Sequence, residues 1–507
     1  MRRGRANKLG KKERERLEMI ETKRPKMELL SGTFVEMLVD EGLTLLETQG
    51  IMVENAEALR LLGDAGAVVD LAAQRARLGR RMVEGCLAST PSSITLFDRS
   101  GEKAFAVGGD EVHFDPGSAA VTLLDHDTQE ERKAMTADLV DFYKLVETLE
   151  HIHFQSTGLI SSDVPAAVSD GYRLYLGLCL SSKPFVTGTF RVEGFRPMKD
   201  FLVAVRGGER ELRLKPLAIF DACPSPPLKW SNLTAQSLLD AARAGIPSEL
   251  ISMGLTGATS PVTIAGTLVQ HVAENLSGLT ICQVAAKGAP VIFGGSPASF
   301  DMRKGTTPMG AVETMMIDSA YAQIGKFLKL PTHAYMGLSD AKVNDPQAGF
   351  ETAMGAVLGA LSGINVISGP GMLDFESSQS LEKLVIDDGI CAMVYRLLAG
   401  IAQRDDPIAL GLFEAFAPDM QFLSLPHTRQ WYRKEHILAG LVDRDPYEAW
   451  VTAGRTSIVD KAHADVRRRL GKYEASPLAD PVRKEMDKIM AAYARSQGVD
   501  RLPVSDF

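Results

Sequence analysis

The sequence predicts an α/β protein built on a (β/α)8 TIM barrel, with an N-terminal helical and β appendage and C-terminal helices. Eight short apolar runs end in Gly, Ser or Pro, most of them about 30 to 40 residues apart, and helix-like stretches separate them. That interval is the length of one βα unit, and eight units fit a closed parallel barrel better than a doubly wound sheet of about five or six strands. We expect the N-terminal region at 1–127, the barrel at 128–427 and the helical extension at 428–507. The alternative is a generic α/β domain in which one strand is miscounted.

The N-terminal region changes pattern twice. Residues 29–62 carry apolar side chains at helical spacing, with Gly50 suited to a C-cap, which predicts two helices. Residues 93–125 contain short β-like runs separated by glycines, which predict a small antiparallel appendage. Residues 128–150 return to helical spacing and open on a capping-box pattern at Thr128.

The eight predicted barrel strands share an apolar centre and a small residue at the end. They are 151–156, 184–189, 217–222, 250–255, 290–295, 332–337, 364–369 and 421–426. Helices are predicted between them, for example at 261–287, where Pro261 suits the first turn and Gly288 the cap, and at 309–327. Three more predicted helices follow the barrel, at 429–436, 447–470 and 481–495.

Composition excludes several classes of protein. The formal net charge of −8 argues against general nucleic-acid binding, which needs a basic surface. The five cysteines form no CxxC pair and no Cys/His cluster at zinc-ligand spacing, so we expect a reducing compartment and no structural metal. No apolar run is long enough to span a membrane, and no apolar segment follows the basic N-terminus, so we expect a cytoplasmic protein without membrane attachment. The sequence also lacks the GxxxxGK[ST], GxSxG, HExxH and GxGxxG motifs, which disfavours nucleotide-driven, serine-hydrolase and zinc-protease chemistry.

The loops after the strands supply the candidate site, because a (β/α)8 barrel carries its chemistry at the carboxyl ends of its strands. The candidate residues at these ends are Phe293, Gly295, Ser296, Arg303, Tyr335, Gly337, Asp340, Lys342, Gln347, Glu376 and His427. Glycines at these ends let the backbone approach a ligand, although turn geometry alone accounts for some of them. The sequence supports two interpretations of Asp340 and Lys342 equally: they are residues of the site, or they form a solvent-facing pair. Aromatic rings converging on the mouth suit a quaternary ammonium ion through cation–π contacts, although most of them must pack. His333, inside an apolar strand, is more often a buried structural histidine than a catalyst.

Several long blocks of the chain resemble one known family. They are GATSPVTIAGTLVQHVAENLSGLTICQVAAKGAPVIFGGSPASFDMRKG, SDAKVNDPQAGFETAMGAVLGALSGINVISGPGML, SLEKLVIDDGICAMVYRLLAGI and HTRQWYRKEHILAGLVDRDPYEAW. These blocks and the basic opening are similar to the corresponding parts of the trimethylamine methyltransferase family. The resemblance covers nearly the whole chain, with the blocks in the same order.

The resemblance implies a barrel that works with a separate corrinoid protein, whose Co(I) centre takes a methyl group from a small methylated amine. The chain lacks the DxHxxG signature with which many corrinoid modules ligate cobalt, so we expect the partner to supply the corrinoid and this chain to bind no cofactor tightly. The founding trimethylamine enzymes carry pyrrolysine, whereas residues 335–342 are all standard here. That difference shifts the expected substrate to a quaternary amine such as glycine betaine, proline betaine or carnitine.

The resemblance also suggests roles for the candidate residues. Tyr335 would contact the cation, Asp340 and Glu376 would attract it, and Arg303, Lys342 or backbone N–H groups would hold a betaine carboxylate. A quaternary nitrogen leaves as a neutral amine, so the reaction needs positioning more than an acid. The alternatives are a tertiary methylamine such as trimethylamine, whose departure calls for an acid, and a non-catalytic amine-binding barrel. We further expect a homo-oligomer.

Overall fold

The computed structural model describes residues 24–117, 119–414, 420–437 and 440–503. The chain divides into a smaller compact unit around Ala392–Gly440 and a larger one made of Met27–Cys391 and the residues from Leu441 onward. The barrel and the candidate site lie in the larger unit. Within the described residues, no helix is both long and apolar enough to cross a membrane.

The described helices are α1 Gly32–Thr48, α2 Ala56–Asp64, α3 Arg80–Ser89, α4 Thr136–Glu147, α5 Ser169–Leu180, α6 Phe195–Arg206, α7 Glu209–Leu214, α8 Asn232–Ala244, α9 Ile264–Ala285, α10 Val312–Phe327, α11 Pro346–Leu361, α12 Leu381–Leu398, α13 Pro426–Glu435, α14 Tyr447–Thr452, α15 Ile458–Lys472 and α16 Asp480–Ser496. Short 3-10 turns lie at Val192–Gly194 and Leu410–Phe413. The strands are β1 Ile51–Val53, β2 Val68–Asp70, β3 Arg75–Arg77, β4 Ser93–Phe97, β5 Ala104–Gly108, β6 His113–Asp115, β7 Thr122–Leu124, β8 Glu131–Lys133, β9 Gln155–Ser156, β10 Phe185–Gly188, β11 Ala218–Ala222, β12 Lys229–Trp230, β13 Ser248–Ser252, β14 Leu255–Thr256, β15 Val291–Gly295, β16 Ala298–Ser299, β17 His333–Tyr335, β18 Val366–Ser368, β19 Met372–Leu373 and β20 Ser378–Gln379.

Eight parallel strands close into the predicted barrel. Strands β9, β10, β11, β13 and β15 pair in that order, and the Phe293 amide reaches the Pro331 carbonyl oxygen at 2.9 Å to join β15 to the start of β17. β17 pairs with β18, and β18 pairs with β6. The ring closes where the amides of His153 and Phe154 donate to the Phe114 carbonyl oxygen at 2.9 and 3.2 Å. The (β/α)8 fold class is therefore confirmed.

One predicted strand is wrong. Residues 421–426 form no strand, and Pro426 instead begins α13, where its missing N–H carries no penalty. The remaining barrel strand is β6, which lies before residue 128 and so before the range predicted for the barrel. Only three residues long, β6 follows the hairpin β4–β5 closely and was grouped with it as one antiparallel appendage. The wider division into N-terminal region, barrel and C-terminal extension stays a prediction.

The predicted helices are mostly present, with shifted ends. Residues 29–62 contain α1 and α2, separated by β1. Gly50 between them has φ +70, and a Cβ there would lie 2.2 Å from the Ala76 carbonyl oxygen, so only glycine fits. The helix predicted at 128–150 begins later, at Thr136, because residues 131–133 pair with β7 instead. The helix predicted at 447–470 is interrupted between α14 and α15.

The hairpin β4–β5 closes the amino-terminal end of the barrel. Its side chains Ile94, Leu96, Phe105 and Val107 form one buried cluster with inward-facing residues from five barrel strands and their starts, namely Phe154, Val186, Ile219, Ile292 and Val366. Burying each of these large side chains contributes about 1.5–3 kcal/mol of folding free energy. Because this end is filled with apolar side chains, a ligand has to enter from the carboxyl ends of the strands.

Candidate functional site

The next inward-facing layer of the barrel is polar. Side chains on a strand alternate between its two faces, so the residues two positions beyond Phe154, Ile219 and Val366 also point into the barrel. They are Ser156, Asp221 and Ser368, and neighbouring strands add Asp115, Glu249 and His333. Six polar side chains therefore stand directly above the apolar floor. We call them the polar layer.

Part of the polar layer is a hydrogen-bonded chain across three strands. Ser368 Oγ donates to Asp115 Oδ1 at 2.6 Å, and His333 Nε2 lies 2.9 Å from Ser368 Oγ. Since the serine proton is used on Asp115, His333 donates from Nε2, and its Nδ1 is then an acceptor. Burial lowers the pKa of His333 to about 3, which keeps the ring neutral. The histidine that the sequence pattern favoured as structural thus belongs to the polar layer.

All three carboxyl groups of the polar layer have unpartnered oxygens, including Oδ2 of Asp115. Neither oxygen of Glu249 has an aligned hydrogen-bond partner; His333 Nδ1 lies 3.0 Å from Oε1, at the distance but not the angle of a hydrogen bond. Asp221 Oδ1 is also buried without a partner. Burial raises the pKa of both Glu249 and Asp221 well above the usual range, and repulsion between them and from Asp115 adds to the shift. For Asp115 itself, burial raises the pKa to about 7. These groups hold protons in the absence of a nearby cation.

The polar layer is accessible on one side. Asp221 and Gly188, at the ends of paired strands β11 and β10, are partly exposed although both lie inside the barrel. Gly188 leaves room there, since even an added Cβ would be 3.5 Å from Asp221 Cβ. Cys223, the next inward position along the chain, is partly exposed too. Accessible space therefore lies beside Asp221 inside the barrel.

Tyr335 and Glu376 lie above the polar layer. Tyr335 is 6% exposed, and its ring meets His333 edge to face with centroids 4.9 Å apart. Glu376 Oε1 is buried without a partner, and burial, with a smaller repulsion from Asp340, raises the Glu376 pKa to about 8. Burial raises the pKa of Cys223, and the charges of Asp221, Glu249 and Glu376 add to that shift. The structure therefore brings Tyr335 and Glu376, both predicted as catalytic residues, together with the polar layer.

Glu376 is held by a strained turn. Asp374, Phe375 and Glu376 have φ values of +47, +54 and +70, a left-handed conformation that costs about 1–2 kcal/mol for each non-glycine residue. Lys342 holds this turn, because its Nζ lies 2.8 Å from Asp374 Oδ1 and 3.8 Å from the centre of the Phe375 ring. Strain of this kind concentrates at functional sites. Lys342 thus supports Glu376 instead of facing the barrel.

Asp340 connects two loops at the mouth. Its carboxylate accepts the backbone N–H groups of Met309 and Gly310 at 2.9 and 3.0 Å. Burial raises the Asp340 pKa to about 6, although these hydrogen bonds oppose the shift. The Asp340 amide donates to Glu351 at 2.9 Å, and Gln347 Nε2 donates to the other Glu351 oxygen at 3.0 Å. Asp340 and Gln347 therefore arrange the loops, with their polar atoms already bonded to protein.

Glycines allow the loops after β17 and β18 to touch. A Cβ on Gly337 would lie 2.8 Å from Pro370 Cδ, and a Cβ on Gly369 would lie 2.9 Å from the Gly337 carbonyl carbon. The Gly337 amide also donates to the Ser368 carbonyl oxygen at 2.9 Å. Gly337 is therefore needed for close packing at the mouth.

The other predicted residues lie elsewhere. Phe293 packs outward, with ring centroids 5.3 Å from His271 on α9 and 6.4 Å from Tyr321 on α10. Gly295 lies on the same outward face, where an added Cβ would be 2.5 Å from His271 Nε2. Ser296 is buried, with Oγ 4.0 Å from Met309 Sδ. Strand alternation explains why Phe293 and Gly295 miss the barrel interior.

Arg303 and His427 each pair with a nearby aspartate. The Arg303 side chain is 87% exposed and pairs with Asp301 at 2.8 Å. His427 lies in α13 of the smaller unit, 3.1 Å from Asp405. Its predicted place depended on a strand at 421–426, and that strand does not exist.

The polar layer itself was missed by the sequence analysis. Asp221 lies inside the predicted strand 217–222, and Glu249 lies one residue before the predicted strand 250–255. These carboxylates could have been recognised, because a buried carboxylate in an otherwise apolar strand is unfavourable unless it has a partner or a function. The predicted site was drawn only from the loops after the strands.

Comparisons with known proteins agree with this architecture. The family model described as trimethylamine methyltransferase (MTTB) matches residues 1–498. The chain belongs to the trimethylamine methyltransferase family. Its curated relatives are named methyltransferases, and the chain is a methyltransferase of this family.

Relatives within the trimethylamine methyltransferase family carry two different substrate names. A trimethylamine methyltransferase of Desulfitobacterium hafniense is 30% identical over 459 residues, covering 90% of this chain and 92% of the relative. One of Methanosarcina barkeri is 32% identical, covering 88% and 91%. A glycine betaine methyltransferase of D. hafniense is 30% identical over 476 residues, covering 94% and 98%. Identity therefore does not separate the two substrates.

The fold has a solved counterpart. The crystal structure of a monomethylamine methyltransferase of M. barkeri matches with a TM-score of 0.53 and 10% identity, covering 89% of this chain and 90% of that one. At this identity the match supports the barrel fold and nothing further.

Proposed function

We propose that this chain transfers a methyl group from a quaternary amine, of the glycine betaine type, to the Co(I) corrinoid of a separate protein. The observation that carries the proposal is the pair Asp221 and Glu249, whose carboxyl groups have buried oxygens without partners inside the barrel. The electrostatic neighbours that raise the pKa of each are other carboxyl groups. A cation is the ligand that such a set of acids lacks.

The chemistry of a quaternary ammonium ion fits the residues around the polar layer. The ion has no N–H group, so a site recognises it through charge and through aromatic faces. Asp221 and Glu249 would supply the charge, and Tyr335, whose ring meets His333 of the polar layer edge to face, would supply an aromatic face. The glycine betaine methyltransferase relative, which covers 94% of this chain, supports the same substrate class.

In the proposed reaction, the corrinoid presented by the partner protein supplies the Co(I) nucleophile that accepts the methyl group. The residues of this chain hold the amine with one methyl group directed to the barrel mouth, where the partner docks. The buried walls exclude water from the nitrogen, and alignment of the methyl group supplies most of the rate increase. A neutral tertiary amine then leaves, so no residue has to donate a proton.

Glu376 supports a second candidate, methyl transfer from a tertiary methylamine. Departure of a secondary amine needs an acid, and a carboxyl group with a pKa of about 8 is mostly protonated at neutral pH. Glu376 would protonate an amine that binds in its neutral form, and the unpartnered oxygens of Glu249 would then accept the new N–H while the methyl group is transferred. The two candidates differ in whether Glu376 must hold a proton during turnover.

The deciding experiment supplies the purified chain with a corrinoid protein reduced to Co(I) and follows the corrinoid absorbance. Glycine betaine, proline betaine, carnitine and trimethylamine are each added. We expect methylation with one of the quaternary amines. Methylation by trimethylamine alone would establish the second candidate, and binding of an amine without methylation of a competent partner would favour the non-catalytic barrel.

A matched pair of variants tests the site. Asp221→Asn removes an acid that can ionise beside a bound cation in the polar layer, and Asp64→Asn removes an acid from the exposed end of α2. We expect Asp221→Asn to raise the KM for the amine by at least tenfold and Asp64→Asn to leave it unchanged. Equal KM values for the two variants would contradict the proposed role of the polar layer.

A further inference from the structure

A cluster of histidine and aspartate side chains lies away from the polar layer. It joins the loop between β7 and β8, which carries His126 and Asp127, to His463 on α15. One ligand atom from each of these three residues lies within 4.8 Å of the others. We propose that His126, Asp127 and His463 bind one divalent transition-metal ion, with zinc as the best match, and that the ion fixes α15 to this loop.

His463 is oriented as metal-binding histidines usually are. Its Nδ1 lies 2.8 Å from Glu382 Oε1, while its Nε2 is buried and has no hydrogen-bond partner. A carboxylate at Nδ1 holds the proton there and leaves the Nε2 lone pair free for a metal, the arrangement seen in carboxylate–histidine–zinc sites. Without a ligand, Nε2 would be a buried polar atom with no partner, which is unfavourable.

His126 is already beside His463. The two imidazole rings stack with centroids 3.8 Å apart and 9° between their planes. The stacking keeps the two imidazole rings side by side at the place where the ligand atoms of the cluster meet. A small rotation about the side-chain bonds of the partly exposed His126 would bring its nitrogen to the ion.

The loop that carries His126 and Asp127 is ordered before any ion binds. Asp125 Oδ1 accepts the N–H groups of Asp127 and Thr128 at 3.1 and 3.0 Å. Gln129 Nε2 donates to the His126 carbonyl oxygen at 2.7 Å. A preformed loop loses less conformational freedom on binding, which favours affinity.

The charges and ligand types favour zinc. Asp127 and Glu382 add negative charge to the cluster, and Asp460, one turn before His463 on α15, interacts electrostatically with both histidines. Two imidazole nitrogens, one carboxylate oxygen and a water molecule would complete a tetrahedral zinc shell. The residues come from opposite halves of the chain, so the local spacing that argued against a structural metal could not detect them.

Calorimetry on the full-length, tag-free chain, stripped of metal with a chelator, tests the proposal with zinc chloride. We expect saturable binding of one ion per chain, a higher thermal unfolding midpoint with zinc, and visible absorption of a tetrahedral site when cobalt(II) replaces zinc. His126→Ala should abolish all three. His436→Ala, which removes an exposed histidine outside the cluster, should change none of them.

Glu382→Gln separates a metal site from a simple histidine–carboxylate pair. It should weaken zinc binding by roughly 10- to 100-fold and keep the stoichiometry of one, since it removes the charge that orients His463. Zinc binding that is equally strong in His126→Ala, or that does not saturate at one ion per chain, would overturn the proposal. A wild-type chain whose thermal unfolding midpoint does not change with zinc would overturn the proposal that the ion fixes α15 to the loop.

Discussion

The raised pKa of Glu376 predicts a pH-dependent gain in stability when its charge is removed. The folded chain holds this proton up to about pH 8, whereas an unfolded chain releases it near the ordinary value of 4.5. Between these values the folded state binds more protons, so stability falls as pH rises and the full loss is reached above pH 8. At about 1.4 kcal/mol for each pKa unit, the loss is about 5 kcal/mol.

Glu376→Gln keeps the shape of the side chain and cannot ionise. We expect it to unfold at a higher urea concentration than the wild-type chain at pH 8.5, by a free energy of several kcal/mol, and to match the wild type near pH 4.5. Equilibrium urea unfolding at three pH values measures the difference. Glu102→Gln, at an exposed position, is the control and should show no pH-dependent change. A Glu376→Gln effect that is constant with pH, or that destabilises the chain at pH 8.5, would refute the assignment of a buried, protonated Glu376.

Three further predictions concern the mouth and the polar layer. Binding of a cationic amine at pH 7 should release protons from the protein, because the cation favours the ionised forms of the buried acids. Calorimetry in buffers of different ionisation enthalpy measures this release, and Asp221→Asn should reduce it. Asp340→Ala leaves two backbone N–H groups without a charged acceptor and should lower stability by about 1.5–3 kcal/mol, as measured by urea unfolding, and kcat with it. Gly337→Ala places a Cβ 2.8 Å from Pro370 and should cost about 1–3 kcal/mol, whereas Gly349→Ala on α11, with no atom within 4 Å, should be neutral or stabilising in the same measurement.

The regular parts of the barrel could be predicted because period and spacing carry that information. Strands such as β11 and β15 are apolar runs that end in small residues, and helices such as α9 and α10 show clear starts and stops. β6 could not be found in this way, because Phe114 is the only apolar residue among its three. Its partner β18 lies far along the chain, and only the closed barrel shows that the two strands pair.

The site was predicted less well than the fold for a related reason. Tyr335 ends β17 and Glu376 follows β19, so both were predicted from their position along the chain. Asp221 and Glu249 lie within strands, where an alternating pattern is needed to decide which face they share. Phe293 shows the opposite error, since it lies near a strand end but points outward to α9 and α10. The position of a residue along a strand does not tell whether its side chain points into the barrel or toward the helices outside. The loops after the strands give only the position.

If the amine binds at the polar layer as proposed, its binding is linked to protonation of the acids there. Asp221 and Glu249 are tolerated in the folded barrel because their raised pKa values favour the neutral form, and Asp115, with a pKa of about 7, is about half neutral near pH 7. A cation about 4 Å from a carboxylate at an effective dielectric of about 20 contributes about 4 kcal/mol, equivalent to about 3 pKa units. That is enough to return Asp115, with a pKa of about 7, to its ordinary ionised form. Each bound amine would then displace a proton, so affinity for a quaternary amine should rise with pH across the range in which these acids titrate. A neutral ligand of the same shape would gain nothing from that rise, and the layer therefore selects for charge as well as for size.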